Sequence, residues 1–247
     1  MLLLVNPSAT TGASMTCFKP AFVCVAILAI TGCKDGSPTA KFQIKPKTET
    51  EEQIETLERK RPKDADAYLE LAALYASKEG ASLHDELKGS TYLKKAANQG
   101  HAEAQNILGY LYDSGTRTIK QDHSKAVELY RLSALQGYSA AQLNLGISYA
   151  TGQGVARDYR AASKWYRLAA EQGESQAQWH LGYLYSKGDG VPRDFVEAYA
   201  WFSVAAAGGW EDAVTDREVA ANQITPEQLA EGKKRATELI AKYGSEQ

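Results

Sequence analysis

The chain has 247 residues, of which 44% are hydrophobic and 23% are charged, and its formal net charge is −2. A near-neutral balance without a block of like charges argues against a nucleic-acid-binding face, so we expect no nucleic-acid partner. All three cysteines lie within the first 33 residues, which excludes a disulfide framework or a cysteine-based metal site in the rest of the chain.

The N-terminal segment has the composition of an export signal. Lys19 precedes an apolar run from Ala21 to Ile30, which has about half of the roughly 20 residues that a membrane-spanning helix needs. The segment therefore predicts an exported protein whose signal peptide is residues 1–32. An uncleaved short anchor and an ordinary secretory signal cut elsewhere are the alternatives.

The last residues of this segment, with the sequence ITGC, resemble the lipobox of bacterial lipoproteins. The resemblance implies that Cys33 is the lipid attachment site and that the protein is anchored in the bacterial cell envelope, facing the periplasm. Lys34 resembles the pattern of lipoproteins sorted to the outer membrane, which favours the outer over the inner membrane. Residues 33–48 are polar and contain two prolines, and they predict a flexible tether.

From about residue 64 the sequence repeats itself with a period that is typical of stacked two-helix units. A tyrosine recurs at Tyr75, Tyr112, Tyr149 and Tyr185, at steps of 37, 37 and 36 residues. Each unit contains two segments with helical spacing of apolar residues, here called helix A and helix B, and no run alternates as a strand would. The sequence therefore predicts an all-α, α–α solenoid of four helical hairpins at about 64–102, 103–139, 140–175 and 176–213.

Both ends of the array need helices that cover an exposed apolar face. At the N-terminal end, Ile54 and Leu57 predict a capping helix within residues 49–63. At the C-terminal end, capping helices are expected in residues 214–247, where a capping box with proline at the first helical position begins at Thr225. The apolar stripe of this last helix consists of Leu229, Ala236, Leu239, Ile240 and Tyr243.

Three glycines, Gly109, Gly146 and Gly182, lie at equivalent positions inside helix A. Glycine costs about 1 kcal/mol relative to alanine in a helix interior. Its recurrence predicts that helix B crosses closely at this point.

Residues at the turn between the two helices also recur. Gly152 and Gly188 fall where a left-handed residue closes helix A, and Asp158 and Asp194 fall where the N-cap of helix B belongs. The second unit departs from this pattern at Arg117, which predicts a less regular turn.

The motifs LGYLY…G, LGISYATGQGV…D and LGYLYSKGDGV…D, each followed by a helix that ends like AAEQG, resemble the Sel1-like repeat, a relative of the tetratricopeptide repeat. The resemblance covers residues 67–213, and it implies binding of a protein or peptide partner in a groove lined by one side of helix A. On that side lie six residues that we call the helix-A row: Asn106, Leu143 and Trp179 at one position, and Tyr110, Ile147 and Tyr183 four residues later.

The aromatic and aliphatic members of the helix-A row favour a protein partner, because Trp and Tyr supply much of the binding energy at protein interfaces. The alternative is that they pack against the neighbouring unit and never reach solvent. A cell-wall peptide or glycan is a second candidate ligand. A less favoured hypothesis is an enzyme that hydrolyses β-lactams or the cell wall.

No catalytic pattern supports the enzyme hypothesis. None of the four histidines has a second histidine three or four residues away, and no G-x-S-x-G, P-loop, H-E-x-x-H or S-x-x-K sequence is found after the leader. We therefore expect no enzyme activity, no cofactor and no metal site. His180, beside Trp179, is a minor candidate for a binding contact.

Overall fold

The computed structural model describes residues 47–244, which form helices joined by turns. The signal peptide predicted at residues 1–32, the lipidation of Cys33 and the tether up to residue 46 lie outside the described residues. The prediction of an all-α solenoid is confirmed, since the described part of the chain contains no strand. Its helices are α1 (Glu49–Arg59), α2 (Ala65–Ser77), α3 (Leu83–Asn98), α4 (Ala102–Ser114), α5 (His123–Leu135), α6 (Ser139–Thr151), α7 (Tyr159–Ala170), α8 (Ser175–Lys187), α9 (Phe195–Ala207), α10 (Asp212–Ala221) and α11 (Pro226–Tyr243).

Four helical hairpins follow one another in chain order. The helices A are α2, α4, α6 and α8, and the helices B are α3, α5, α7 and α9. Each helix A packs on its own helix B, and each helix B also packs on the helix that follows it. The array is therefore held together by contacts between neighbours in sequence, as in other repeat proteins.

The three glycines inside helix A lie against an aromatic ring of helix B. A Cβ atom added at Gly146 would lie 2.6 Å from the ring of Tyr166, and one added at Gly182 would lie 2.8 Å from Phe202. Gly109 faces Tyr130 in the same way, at 2.8 Å. The predicted close approach of helix B is confirmed. What lies closest to each glycine is an aromatic side chain of helix B rather than its backbone, and the ring fills the space that a methyl group would need.

The turns of the third and fourth units are built as the sequence predicts. Gly152 and Gly188 have φ values of 80° and 79°, and the carboxylates of Asp158 and Asp194 accept backbone N–H groups at the start of helix B. In the second unit the turn differs, and it buries Ile119, which is 2% exposed.

Three buried glutamines connect each unit to the one before it. The side-chain N–H groups of Gln105, Gln142 and Gln178 donate to carbonyl oxygens at the end of the preceding helix B, over 3.2, 3.3 and 3.1 Å. These bonds satisfy polar groups in a region that excludes water. The sequence analysis missed this link, although an Ala-Gln pair stands at the same place in all three units.

Helix α1 covers the first unit. Ile54 is buried, and Leu57 packs beside it. One carboxylate oxygen of Glu58 accepts hydrogen bonds from the hydroxyls of Tyr75 and Tyr92, over 2.8 and 3.0 Å. Burial alone would raise the pKa of Glu58, but the two tyrosines and nearby Lys88 outweigh it, so this pKa lies below its usual value.

The last two helices both pack on α9. Helix α10 takes the place that helix A of a fifth unit would occupy, and Ala213, one period after Ala177, is buried in the same way. Helix α11 begins with the expected capping box at Thr225 and buries Ala236 and Leu239. The buried part of the predicted apolar stripe on α11 is smaller than expected, because Ile240 is 38% exposed.

Candidate binding surface

The helix-A row is divided between exposed and packed positions. Its members lie in α4, α6 and α8, where the spacing of four residues places each pair on one face of its helix. Tyr110 is 57% exposed and Tyr183 is 42% exposed, whereas Ile147 is half-buried. Tyr110, Ile147 and Tyr183 stand at one equivalent position of three successive units. The two tyrosines are open to a partner, whereas Ile147 is exposed only in part and packs against the apolar cluster that contains Leu143.

The other position of the helix-A row, which holds Asn106, Leu143 and Trp179, is largely buried by contacts within the protein. Leu143 is only 6% exposed and belongs to the same apolar cluster as Ala177 and Leu181 of the next unit. The expectation that Leu143 is a groove contact is therefore corrected, because the next unit covers it. Asn106 is half-buried, and its side-chain oxygen accepts a hydrogen bond from Asn144 over 2.9 Å.

Trp179 is covered by α10. Its indole N–H donates to a carboxylate oxygen of Asp216 over 2.7 Å, and its ring centroid lies 6.1 Å from that of Trp210. Because the N–H group of this indole has a hydrogen-bond partner and its ring has a packing partner, Trp179 belongs to the internal packing of the protein. The sequence analysis missed Asp216 and Trp210, since helix α10 lacks the repeat motif that would have marked it as a fifth helix A.

A cavity of about 350 Å³ opens beside Tyr183, between the end of α8, the start of α9 and α10. The rings of Phe195 and Phe202 line it, together with Val219. Two cations also line it. Lys187 lies over the Tyr183 ring at 5.4 Å, and Arg193 lies over Phe195 at 5.9 Å. The surface around Tyr183 thus combines aromatic rings with positive charge, while Asp216 on the same wall is held by Trp179.

His180 is a packing residue. Its ring stacks on Tyr166 with a centroid distance of 4.7 Å, and its Nε2 atom is buried without a hydrogen-bond partner in the described chain. Burial lowers the pKa of His180 to about 4. The side chain is therefore neutral at pH 7, and its buried polar atom gives a binding partner nothing to contact.

Among residues 47–244, no group of three or more His, Cys, Asp or Glu side chains is placed to hold a metal ion. None of the helices in this range combines the length and the apolar character that a membrane crossing requires.

The Sel1 repeat profile matches four consecutive segments of the chain, residues 65–101, 102–138, 139–174 and 175–210. These segments make up more than half of the sequence. The chain belongs to the Sel1 repeat family. Each matched unit begins at the first residue of a helix A, at residues 65, 102, 139 and 175.

The solved structures that resemble this one include two helical repeat proteins. A Sel1 repeat protein from Oxalobacter formigenes is 29% identical, with a TM-score of 0.57, and the match covers 70% of each chain. The protective antigen c5321 of uropathogenic Escherichia coli, which displays an SLR fold, is 29% identical with a TM-score of 0.52, and the match covers 73% of this chain and 46% of the antigen.

Two curated proteins share shorter regions. DAP3-binding cell death enhancer 1 of Rattus norvegicus is 42% identical over 66 residues, which are 27% of this chain and 12% of the rat protein. The chitin synthase regulator SKT5 of Saccharomyces cerevisiae is 38% identical over 58 residues, 24% of this chain and 8% of the yeast protein. The chain thus spans only a small part of both relatives.

Replacing Trp179 and Tyr183 separately by alanine distinguishes packing from exposed contact. Trp179→Ala removes a half-buried indole and leaves Asp216 without its donor, so we expect a loss of about 3 kcal/mol in the free energy of unfolding. Tyr183→Ala removes an exposed ring and should cost less than about 1 kcal/mol. Urea unfolding followed by circular dichroism measures both. Equal losses would contradict this assignment of the two residues.

The half-buried His180, whose Nε2 atom is buried, predicts a pH dependence of stability. In the unfolded chain His180 titrates near pH 6.5, so below this pH the unfolded chain gains a proton that the folded chain does not take up until about pH 4. Stability should therefore fall as the pH drops, by about 2 kcal/mol between pH 7 and pH 5 from this residue.

The variant His180→Phe keeps a stacked ring but has no group that titrates. Between pH 7 and pH 5, its free energy of unfolding in urea should therefore fall by about 2 kcal/mol less than that of the native chain. Replacement of the exposed His84 by glutamine is the matched control and should change nothing. If the native chain and His180→Phe respond to pH alike, the pKa of His180 is not lowered as described.

Proposed function

We propose that this protein is an exported, lipid-anchored scaffold that holds a protein or peptide partner close to a bacterial membrane. Sel1 repeat proteins are generally scaffolds for protein interactions. The observation that carries the proposal is the exposure of Tyr110 and Tyr183 on helices A, whereas the helix-B rings of Tyr130, Tyr166 and Phe202 are buried. A tyrosine offers a large rigid contact area together with a hydroxyl group, which suits it to protein interfaces.

The cavity beside Tyr183 supports a partner segment with an apolar side chain. The rings of Phe195 and Phe202 line it, and so do the cations Lys187 and Arg193. An apolar cavity with a few polar groups around it is the usual form of a specific contact site. The proposed contact surface therefore runs from Tyr110 through Ile147 to Tyr183 and ends at this cavity.

The anchor places the scaffold at the membrane. Under the proposal, Cys33 carries the lipid and residues 33–48 form the tether, which at its fullest extension spans about 55 Å. Such a tether lets the repeats reach a partner that lies in or near the outer membrane from the periplasmic side. Two or more acyl chains give stable anchoring, whereas one gives only marginal binding.

The relatives support a holding role. One is named for binding another protein and the other for regulating an enzyme. Neither name describes a chemical reaction of the relative itself. We infer that this chain likewise acts by binding, and that no catalysis of its own is required.

The proposal is tested by crosslinking in intact membranes of cells that produce the full chain, followed by its purification. We expect a discrete protein partner with the native chain, and loss of most of that partner with Tyr110→Ala/Tyr183→Ala at an unchanged melting temperature. The matched control is Leu87→Ala, which removes another exposed apolar side chain, on α3, and should retain the partner.

Three results would contradict the proposal. The double variant could retain the partner, the native chain could capture only lipid, or it could sediment with purified cell-wall material instead. Replacing Cys33 by serine tests the anchor separately, because the protein should then leave the membrane fraction.

A further inference from the structure

The C-terminal helix α11 rests on one face of α9. That face is formed by Val196, Ala200 and Val204 at intervals of four residues, with Glu197 and Trp201 beside them. Ala200 and Val204 are 0% exposed and Trp201 is 1% exposed, and all three share an apolar cluster with Ala236 and Leu239 of α11.

Two further contacts fix α11 in this position. The ring of Tyr243 stacks on that of Trp201 at a centroid distance of 6.3 Å. The guanidinium of Arg235 lies 3.1 Å from the carboxylate of Glu197. This face of helix B is therefore a seat for an amphipathic helix, and in the fourth unit the chain fills it with its own C-terminal segment.

One unit earlier, no helix of residues 47–244 covers the same seat. At the equivalent positions of α7, 36 residues before those of α9, stand Arg160, Lys164, Leu168, Ala161 and Trp165. Leu168, the counterpart of the fully buried Val204, is 45% exposed, and Trp165, the counterpart of Trp201, is half-buried. The apolar strip continues on α5, where Leu132 occupies the position of Leu168 and is 52% exposed.

The charge on the open seat is the reverse of that on the filled one. In α9 the seat carries the acidic Glu197, and Arg235 of α11 neutralises it. In α7 the counterpart of Glu197 is Ala161, and helix α7 contains no acidic residue. Arg160 and Lys164 are exposed, and neither forms an ion pair within residues 47–244.

We propose that the face of α7 formed by Arg160, Lys164, Trp165 and Leu168, continued by Leu132 on α5, docks an acidic amphipathic helix of a partner protein in the way that α11 docks on α9. The occupant has aliphatic or small residues along one stripe, as α11 has Ala236 and Leu239, and acidic residues beside that stripe to pair with Arg160 and Lys164.

A second copy of the chain fits this face poorly. Within residues 47–244, the helix that occupies such a seat is α11, and its middle carries the basic run Lys233, Lys234 and Arg235. On α9, Arg235 pairs with Glu197, so in the same pose on α7 it would lie over Ala161, beside Arg160 and Lys164. Like charges that face each other oppose binding. The charge pattern therefore selects a different, acidic helix.

The test uses a synthetic peptide with the sequence of residues 225–244 in which Lys233, Lys234 and Arg235 are all replaced by glutamate. The peptide is labelled with a fluorophore and titrated with the full chain, and binding is measured by fluorescence anisotropy. We expect saturable binding, at least about tenfold tighter than that of the peptide with the unaltered sequence.

Substitutions in the seat should weaken this binding, while distant ones should not. Leu168→Ala and Lys164→Glu should each weaken it at least about tenfold, the usual effect of removing an important interface contact. Leu87→Ala, which also removes an exposed leucine from a helix B, is the matched control and should leave binding unchanged. Circular dichroism of each variant establishes that it is folded.

This experiment can fail without contradicting the scaffold proposal, because the two proposals concern different helices. Tyr110→Ala/Tyr183→Ala should bind the acidic peptide as the native chain does, because those residues lie on helices A. Absence of binding, equal binding to Lys164→Glu, or loss of binding in the double tyrosine variant would each overturn the α7 site. Self-association of the native chain that Leu168→Ala abolishes, measured by sedimentation, would also overturn it by assigning the face to a second copy.

Discussion

The contact between a glycine of helix A and an aromatic ring of helix B governs the geometry of each full repeat unit. The ring of Tyr166 lies so close to Gly146 that no side chain fits between them, and the second and fourth units repeat this contact. Because the glycine must face the ring, this contact fixes the rotation of helix A about its own axis. The residue that follows the glycine then points about 100° away from the direction of the ring. In the three units that residue is Tyr110, Ile147 or Tyr183, so one packing contact also determines which side chains the array presents.

The two ends of the array show how its open faces can be filled. At the C-terminal end, α10 covers Trp179 on the helix-A side, and α11 covers Trp201 on the helix-B side. Both faces of the fourth unit are thus largely occupied by the chain itself. Within residues 47–244, no helix covers Leu132 of the second unit or Leu168 of the third unit, whereas α11 covers their counterpart Val204 in the fourth. Binding of partners by these units requires no rearrangement of the core.

Much of this architecture follows from local chemistry that the sequence displays. The period of 36 to 37 residues, the glycines and the capping aspartates Asp158 and Asp194 each depend on residues close in the chain, and the structure has them as expected. Leu143 is buried and Tyr110 is exposed although both lie on the same side of helix A. This difference depends on contacts with the neighbouring unit, which a helical wheel of one helix does not include. Trp179 was misjudged for a related reason: its partner Asp216 belongs to α10, a helix without the repeat motif, and its partner Trp210 lies in the turn before that helix. The burial of Gln142 and its equivalents was missed because a polar side chain inside the array is stable only through a hydrogen bond to another unit.

The central claim is that the ring of helix B occupies the place of a side chain at the glycine of helix A, and the variant Gly146→Ala tests it most directly. In an unobstructed helix this change would stabilise the protein by about 1 kcal/mol. Here the added methyl group would lie 2.6 Å from the Tyr166 ring, so we predict that urea unfolding shows a loss of about 1–3 kcal/mol, the usual cost of overpacking. A gain in stability would contradict the account, because the rotation of helix A and the exposure of Tyr110 and Tyr183 would then lack their cause.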